Sequence, residues 1–294
     1  MNDNTRGIMF MVLAVTMMLT SDTVLKFVAQ DLPLFQIIFI RHLFMTAGLV
    51  ALAMRDGAHK VRPSRRQTRL LTLRTLGECS VICFYMYALA MMPLGTATAI
   101  FQLQPLAVTL AAVVFLSQPI GPRRLIAIII GFSGVLLIVR PGTEAFGPGA
   151  ILVLLAVGGV CLRDISTRIL GPSLPATMMA AIASAALLVL SLAVMLVRGG
   201  WAPVSASQLG LIFCGACFLL VGYTAIALAM RFGDIAAISP FRYVSLVVGL
   251  IYGFVIFGEV PDVLMLAGAL IIVSTGIYTF VREHRASVQR VPAH

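Results

Sequence analysis

The sequence predicts an all-α membrane protein with ten transmembrane helices, arranged as two inverted five-helix repeats around a central cavity. Three observations support this fold class. The 294 residues are 60% hydrophobic and 11% charged, with a mean hydropathy of +1.04, whereas soluble domains have about 25% charged residues. Long apolar runs follow one another along the whole chain. The second half of the chain repeats features of the first half in the same order.

The ten spans follow from the length of the apolar runs. A helix needs about 20 residues to cross the hydrocarbon core of a bilayer, and charges, prolines and glycines divide the chain into segments of this length. Their continuous apolarity favours helices over strands, because backbone polar groups in lipid must be satisfied internally. The expected spans are 7–28, 34–54, 70–91, 95–116, 123–140, 147–169, 175–197, 208–230, 234–257 and 261–281.

The distribution of positive charge predicts the orientation. The first run is expected to be a retained span rather than a signal peptide, because Asp22 and Lys26 stand where a cleavage site would be. If that span starts in the cytoplasm, fifteen Lys and Arg residues fall on the inner side and only Arg140 and Arg198 on the outer side. The positive-inside rule therefore places both termini in the cytoplasm. The same rule explains the basic loop 62–69 without nucleic acid as a partner.

An internal repeat predicts how the two halves are related. The string ALAM at 88–91 recurs 139 positions later at 227–230, and each copy precedes a loop with proline and a glycine-containing span that ends in arginine. Each unit holds five spans, and an odd number turns the second copy over in the membrane. The predicted units are residues 1–142 and 143–281, followed by a basic cytoplasmic tail, 282–294.

Charged residues within spans are the first candidates for a functional site, because burying one in hydrocarbon costs about 2.5–3.5 kcal/mol even on lenient scales. Asp22 and Arg41 are predicted at the same depth on neighbouring spans, with His42 beside Arg41 and Lys26 one turn from Asp22. Two interpretations stay open for this cluster: structural ion pairing, or binding of substrate or protons. Lys26 can also extend its side chain to the membrane interface.

Further polar residues occur in spans three, four and nine. Glu78 is a candidate for proton coupling, with pairing to Arg74 as the structural alternative. Arg242 follows Pro240, which removes a backbone hydrogen bond and predicts a kinked binding-site helix. Gln102 and Gln104 are two residues apart, so at most one should face the cavity fully.

Aromatic residues on these spans are candidates for the apolar part of a pocket. The full set of candidate substrate-binding or coupling residues is Asp22, Lys26, Arg41, His42, Glu78, Tyr85, Gln102, Gln104, Tyr223, Phe241, Arg242 and Tyr243.

The sequence offers no motif for other chemistry. It contains no Gly-x-x-x-x-Gly-Lys-Ser/Thr loop and no His-Glu-x-x-His. Cys214 and Cys217 have redox or metal spacing, but no His, Asp or further ligand stands near them. We therefore expect neither an enzyme nor a metal or cofactor, and any transport should draw on a gradient.

These features together resemble the drug/metabolite transporter superfamily, and within it the ten-helix bacterial exporters with paired EamA-type domains. The resemblance rests on GVLLIVRPG at 134–142, FGEVP at 257–261, QIIFIRHLF at 36–44 and the Asp22-x-x-x-Lys26 spacing. The chain departs from the family pattern before the fifth span, where Gln118 replaces the usual glutamate and Glu259 occupies the related position in the second half.

The resemblance implies a secondary transporter in the bacterial inner membrane that exports small metabolites by alternating access. Amino acids, including aromatic ones, are the implied substrates, so the expected partners are an amino-acid-like small molecule and the lipid bilayer. Lys26, Arg41 and Arg242 keep anionic or nucleotide-like metabolites open as an alternative. A channel and an intramembrane enzyme are further alternatives of another class.

Overall fold

The computed structural model describes residues 3–117, 122–140, 147–171, 174–232 and 238–288. Within these ranges the chain is helical and contains no strand. The α-helices are α1 Asp3–Val28, α2 Leu34–Arg55, α3 Arg65–Met91, α4 Leu94–Phe101, α5 Gln104–Leu116, α6 Pro122–Val139, α7 Pro148–Leu170, α8 Ala176–Arg198, α9 Ala206–Phe232, α10 Val244–Phe257 and α11 Val263–Val288. Two short 3₁₀ helices cover Ala58–Lys60 and Ser239–Tyr243.

The helices of the described ranges form ten membrane-crossing segments, as predicted. Seven are long and apolar enough to span a bilayer by themselves, and two shorter apolar stretches lie in α6 and α11. Helix α3 supplies the tenth segment; its 27 residues begin with a basic turn capped by Ser64. Large apolar side chains such as Phe115 and Val197 are 74% and 87% exposed on the outside of the bundle, as lipid contact requires.

Two spans that the sequence predicts as single segments are interrupted. The fourth span divides into α4 and α5 at residues 102–103, next to Pro105. The ninth span begins as the 3₁₀ helix Ser239–Tyr243, which contains Pro240, and continues as α10. Both breaks follow from proline, which removes one backbone donor and crowds the preceding turn.

The helices of the first half pack on those of the second in a reciprocal pattern. α1 packs on α9 and α3 packs on α7, while α2 meets α8, α6 meets α11 and α4 meets α10. By position within each half, the first span of either half pairs with the third span of the other, and the second, fourth and fifth spans pair with their counterparts. The pattern is therefore unchanged when the two halves are exchanged. This pairing is what two related five-span units would give. The unit boundary at 142/143 stays a prediction and lies outside the described residues.

Glycines allow the closest of these crossings. A Cβ added to Gly77 of α3 would lie 2.7 Å from the backbone oxygen of Gly159 in α7, and one added to Gly134 of α6 would lie 2.8 Å from the oxygen of Gly268 in α11. Gly249 of α10 likewise packs closely against Thr98 of α4, within the Gly249-x-x-x-Gly253 pattern that is typical of close helix packing. Helices without side chains at the crossing bring their backbones together, which positions the neighbouring polar side chains.

Candidate functional site between the two halves

The two interrupted spans meet each other inside the bundle. The side-chain amide nitrogen of Gln102 donates to Ser245 Oγ at 3.0 Å and to the carbonyl oxygen of Arg242 at 3.4 Å. Gln104 points elsewhere and lines a crevice together with Arg242, so the two glutamines serve different surfaces as predicted. Irregular backbone at membrane depth is tolerated where it lines a protein cavity, and discontinuous helices at a repeat interface mark the binding region of many transporters.

Asp22 and Arg41 meet as the depth estimate predicts. Arg41 Nη1 lies 3.6 Å from Asp22 Oδ1, and the Arg41 side chain is fully buried. None of its three guanidinium nitrogens makes a hydrogen bond within the described part of the chain. Because a buried guanidinium normally satisfies most of its donors, Arg41 retains capacity to bind an anion or water.

Glu78 has a different partner from the one expected. Its carboxylate lies 3.3 Å from Arg163 Nη1 of α7 and accepts a hydrogen bond from the Tyr223 hydroxyl at 3.3 Å. Arg163 also donates from Nε to Asp164 at 2.7 Å. The predicted pairing with Arg74 is wrong: Arg74 donates instead to the backbone oxygen of Met179. The Gly77–Gly159 crossing explains the difference, because it brings α7 within reach of Glu78.

His42 belongs to a small closed cavity of about 30 Å³ that Glu78 and Tyr223 also line. His42 Nδ1 lies 3.0 Å from Ser184 Oγ, which in turn lies 2.8 Å from Thr46 Oγ1. The cavity holds no more than a few water molecules, since one water needs about 10–15 Å³ on this measure.

A larger crevice of about 200 Å³ lies on the other side of the interrupted spans. Its polar lining includes Gln104 of α5, Asp164 of α7, Arg242 and Thr279 of α11. Asp164 stands six residues before the end of α7 at Leu170, or about 9 Å along the axis, so the crevice lies toward the predicted cytoplasmic end. It brings together polar groups from four separate spans, and two of these groups, Asp164 and Arg242, are charged.

The aromatic candidates are divided between packing and the polar region. Tyr85 is 5% exposed, stacks on Phe101 with ring centroids 4.6 Å apart, and places its hydroxyl 3.5 Å from Thr98 Oγ1. Phe241 packs against an apolar cluster that includes Met11 of α1. The Tyr243 hydroxyl occupies the space where a Cβ of Gly276 would lie. Tyr223 is thus the aromatic candidate whose hydroxyl contacts a buried carboxylate.

The sequence predicted that Lys26 belongs to the Asp22 cluster, but in the structure it contacts Glu259 instead. Its Nζ lies 2.6 Å from Glu259 Oε1 and donates to the Met92 carbonyl at 2.8 Å, while Glu259 Oε2 accepts from the Leu94 amide at 2.7 Å. Nζ also lies 4.9 Å from the Phe257 ring centroid. Glu259 lies in the loop before α11, and this pair links that loop to α1. We call these contacts the Lys26–Glu259 lock.

Two weaker connections lie at the same end of the bundle. Arg140 forms an ion pair and a hydrogen bond with Asp262. The side-chain amide of Gln36 donates to the Ala202 oxygen and accepts from the Ala202 amide. The Met265 amide, followed by Arg140, lowers the pKa of the Asp262 carboxyl below its usual value. Gln118, which the sequence places opposite Glu259, lies outside the described residues.

Sequence reasoning missed three residues of the polar region. Arg163 was counted only as a topological charge, although its pairing with Glu78 and Asp164 gives it a place inside the bundle. Asp164 offered a signal, as an acid within an apolar span. Thr279 offered none, because threonines are common in transmembrane helices. In the described ranges no group of three or more His, Cys, Asp or Glu is placed to hold a metal ion, and Cys214 and Cys217 are free thiols.

Many membrane carriers for small molecules place a binding site at interrupted helices between two related helical units, and this bundle has that architecture. Residues 5–140 match the EamA-like transporter family. Together with the relatives described next, this match confirms the predicted resemblance to the drug/metabolite transporter superfamily. The protein is therefore an integral membrane transporter of small metabolites.

Relatives with named substrates align over most of the chain. An S-adenosylmethionine uptake transporter of Rickettsia conorii is 26% identical over 283 residues, 95% of this chain and 94% of its own. A riboflavin transporter of Brucella anthropi is 25% identical and covers 85% of this chain and 89% of its own. A pseudopaline exporter of Pseudomonas aeruginosa is 26% identical and covers 91% and 93%.

A solved structure supports the fold alone. A crystal structure aligns over 96% of this chain and 97% of its own with a TM-score of 0.65 and 16% identity.

Proposed function

We propose that this protein is a secondary transporter of the bacterial inner membrane that carries small metabolites with an amino-acid unit by alternating access. The observation that carries the proposal is the meeting of two interrupted spans beside buried charges of both signs. Such charges are costly in a membrane interior unless they serve a site. A carboxylate and a guanidinium in one cavity suit the amino and carboxyl groups of a zwitterion.

Some relatives support this substrate class and others do not, because riboflavin contains no amino-acid unit. One group is named for uptake of S-adenosylmethionine, which contains a methionine unit, and another for export of pseudopaline. The relatives thus act in both directions, and a secondary carrier follows the gradients of its substrate and coupling ion. The resemblance seen in the sequence favours export.

The two ends of the bundle support alternating access. At the predicted outer end the Lys26–Glu259 lock ties α1 to the α3–α4 turn and to the chain before α11. Toward the predicted inner end the crevice beside Arg242 stays open to about 200 Å³. We propose that the structure is an inward-facing state, with both termini in the cytoplasm, and that substrate release on the other side requires the lock to open.

Counterflow in proteoliposomes tests the transport function. Vesicles loaded with unlabelled S-adenosylmethionine, phenylalanine or riboflavin are diluted into the same labelled compound, and uptake is compared with empty liposomes. Saturable counterflow with at least one compound is expected, and Arg242→Ala should reduce it at least about tenfold while the protein remains folded. Linear, non-saturating flux would indicate a channel, and no flux with a broad metabolite panel would refute the proposal.

A second candidate substrate class is anionic or nucleotide-like metabolites. The observation that favours it is Arg41, a fully buried guanidinium without hydrogen bonds in the described part of the chain. An anionic ligand would supply the missing acceptors. Preference for riboflavin or a nucleotide over every zwitterion in the same counterflow panel would support this class.

A further inference from the structure

We propose that the crevice beside the interrupted spans recognises the ammonium and carboxylate groups of the transported metabolite. In this assignment Arg242 and Thr279 face the carboxylate, and Asp164 faces the ammonium group. The inference rests on the proposed transport function and adds to it a binding site and a substrate class.

The Arg242 side of the crevice lacks a carboxylate partner, whereas its acidic side carries more negative than positive charge. Glu78 and Asp164 both contact Arg163, at 3.3 and 2.7 Å, so this triad carries one excess negative charge when all three groups are ionised. Arg242 lines the same crevice as Asp164. No carboxylate in the described ranges lies within 4.0 Å of the Arg242 guanidinium. One cavity thus presents a negative and a positive wall, which is the arrangement complementary to a zwitterion.

Thr279 is a second, independent indication of a ligand. Several threonines in the bundle donate their hydroxyls to the carbonyl four residues earlier, as Thr167 does with Arg163 and Thr275 does with Ile271. The buried Thr75 hydroxyl also lacks a partner in the described residues, but it does not line the crevice. Thr279 is 5% exposed, lines the crevice, and its Oγ1 has no hydrogen-bond partner in the described residues. A buried hydroxyl without a partner is uncommon, and a carboxylate bound at Arg242 would supply its acceptor.

The size of the crevice fits a group of atoms rather than one ion. Its volume of about 200 Å³ is many times the roughly 10–15 Å³ that one water needs on the same measure. The Asp164 side chain keeps 39% exposure, so a ligand can reach the acidic wall. Pro105 and Leu106 form an apolar wall against which the carbon skeleton of a metabolite can rest.

The crevice also joins the two halves of the bundle. Gln104 belongs to the first half, whereas Asp164, Arg242 and Thr279 belong to three separate spans of the second half. Movement of one half against the other changes the distance between Gln104 and the three groups of the second half. Recognition in the crevice is therefore directly coupled to the transition that alternating access requires.

The test is a binding cycle that removes one charge from the ligand and one from the protein. The purified full chain is titrated calorimetrically with L-phenylalanine, with phenethylamine, which lacks the carboxylate, and with 3-phenylpropionate, which lacks the ammonium group. Arg242→Gln should weaken binding of phenylalanine and 3-phenylpropionate by about tenfold or more and leave phenethylamine unchanged. Asp164→Asn should weaken phenylalanine and phenethylamine and leave 3-phenylpropionate unchanged.

Conservative variants separate recognition from folding. Arg242→Lys and Asp164→Glu keep the charges and should retain the preference for the zwitterion, and Thr279→Ser should bind phenylalanine better than Thr279→Val. The same cycle is run with S-adenosylmethionine and its decarboxylated form. Equal losses for all three ligands in a folded variant, or no binding of either zwitterion to the parent protein, would overturn the inference.

The transport function can fail or survive separately. Saturable counterflow of riboflavin without counterflow of any zwitterion would refute this site while leaving the transporter intact. Absence of counterflow with every compound would refute the transport function itself.

Discussion

Opposite charges are used differently at the two ends of this bundle. At the predicted outer end, Lys26 and Glu259 lie 2.6 Å apart, and each also bonds to the backbone, Lys26 to the Met92 carbonyl and Glu259 to the Leu94 amide. Toward the inner end, Arg242 lines a crevice with Asp164, which pairs with Arg163, and Arg242 itself forms no ion pair in the described ranges. The Lys26–Glu259 contact is direct, whereas the crevice between Arg242 and Asp164 leaves room for a ligand.

This difference shows how one structure can combine closure and recognition. A buried ion pair with satisfied hydrogen bonds holds two elements in a fixed geometry. Opposite charges on two sides of a cavity do not hold two elements in a fixed geometry. They can instead bind a molecule that carries both a positive and a negative charge. If the halves exchange conformations, opening the lock must be balanced by new contacts elsewhere.

The largest effect is expected from removing the lock. Lys26→Met leaves Glu259 in a site where the two side chains are only 11% and 19% exposed, and losing one partner of a buried pair is strongly destabilising. Thr96 lines the 130 Å³ cavity beside Glu259, so Thr96→Cys reports opening. In a chain lacking its five native cysteines, Lys26→Met should speed labelling of this cysteine by an impermeant maleimide about tenfold or more.

The charge-swapped variant is the control for this experiment. Lys26→Glu combined with Glu259→Lys restores opposite charges and should return labelling toward the parent rate. Arg140→Gln removes a more exposed pair at the same end and should change labelling little. An unchanged labelling rate in Lys26→Met would show that the lock does not close the outer end.

The next effect concerns proton coupling in the middle of the bundle. Glu78 faces Arg163 of α7 and Tyr223 of α9, and shares a small cavity with His42 and Arg74. If Glu78 carries protons, Glu78→Gln should lose the pH dependence of transport, measured as initial counterflow rates between about pH 5 and 8. Asp22→Asn tests the separate pair with Arg41. A pH profile like that of the parent in both variants would reject proton coupling through these carboxylates.

The sequence predicted local features well and distant partners poorly. The ten segments and the shared depth of Asp22 and Arg41 followed from hydropathy and helix rise, which are properties of each span alone. Glu78 was assigned Arg74 because residues four apart share a helix face. Its actual partner, Arg163, is 85 positions away and is brought near by the Gly77–Gly159 crossing. Helix packing of this kind is not encoded in the spacing of charges.

Lys26 shows the same limit. Its spacing from Asp22 predicted that the two residues belong to one cluster. In the structure the Lys26 ammonium group instead donates to Glu259, which is 233 positions away in the sequence. Asp164 was visible in the sequence as a charge within a span. Its position at the crevice depends on how that span lies relative to the three other spans that line it, which the sequence does not show. Thr279 could not be found at all, because it is distinguished by its place in the crevice together with a missing hydrogen bond, and the sequence shows neither.

A moderate effect is expected at the crossing that builds the acidic side of the crevice. A Cβ at Gly159 would lie 2.9 Å from the backbone oxygen of Gly77, whereas one at the neighbouring Gly158 would meet nothing within 4 Å. Overpacking against backbone costs about 1–3 kcal/mol, so Gly159→Ala should lower the Tm in detergent by roughly 2–10 °C. Gly158→Ala should leave the Tm unchanged or raise it slightly, because alanine favours helix. Similar Tm values for both variants would contradict the close crossing.

The smallest effect is expected at Asp262, the exposed counterpart of the lock. Its pKa lies below the usual value because it accepts a hydrogen bond from the Met265 amide and lies beside Arg140. A carboxyl with a lowered pKa stabilises the folded state above its ordinary value of about 4 and loses this contribution as the pH falls through the folded value. Its side chain is 58% exposed, so solvent screens the charge. Asp262→Asn keeps an oxygen for the Met265 amide and should lower the Tm at neutral pH by about 1–2 °C at most. The difference from the parent should shrink below about pH 4. A Tm loss well above about 2 °C at neutral pH, or a loss that persists below about pH 4, would contradict a weak, solvent-screened contribution from Asp262.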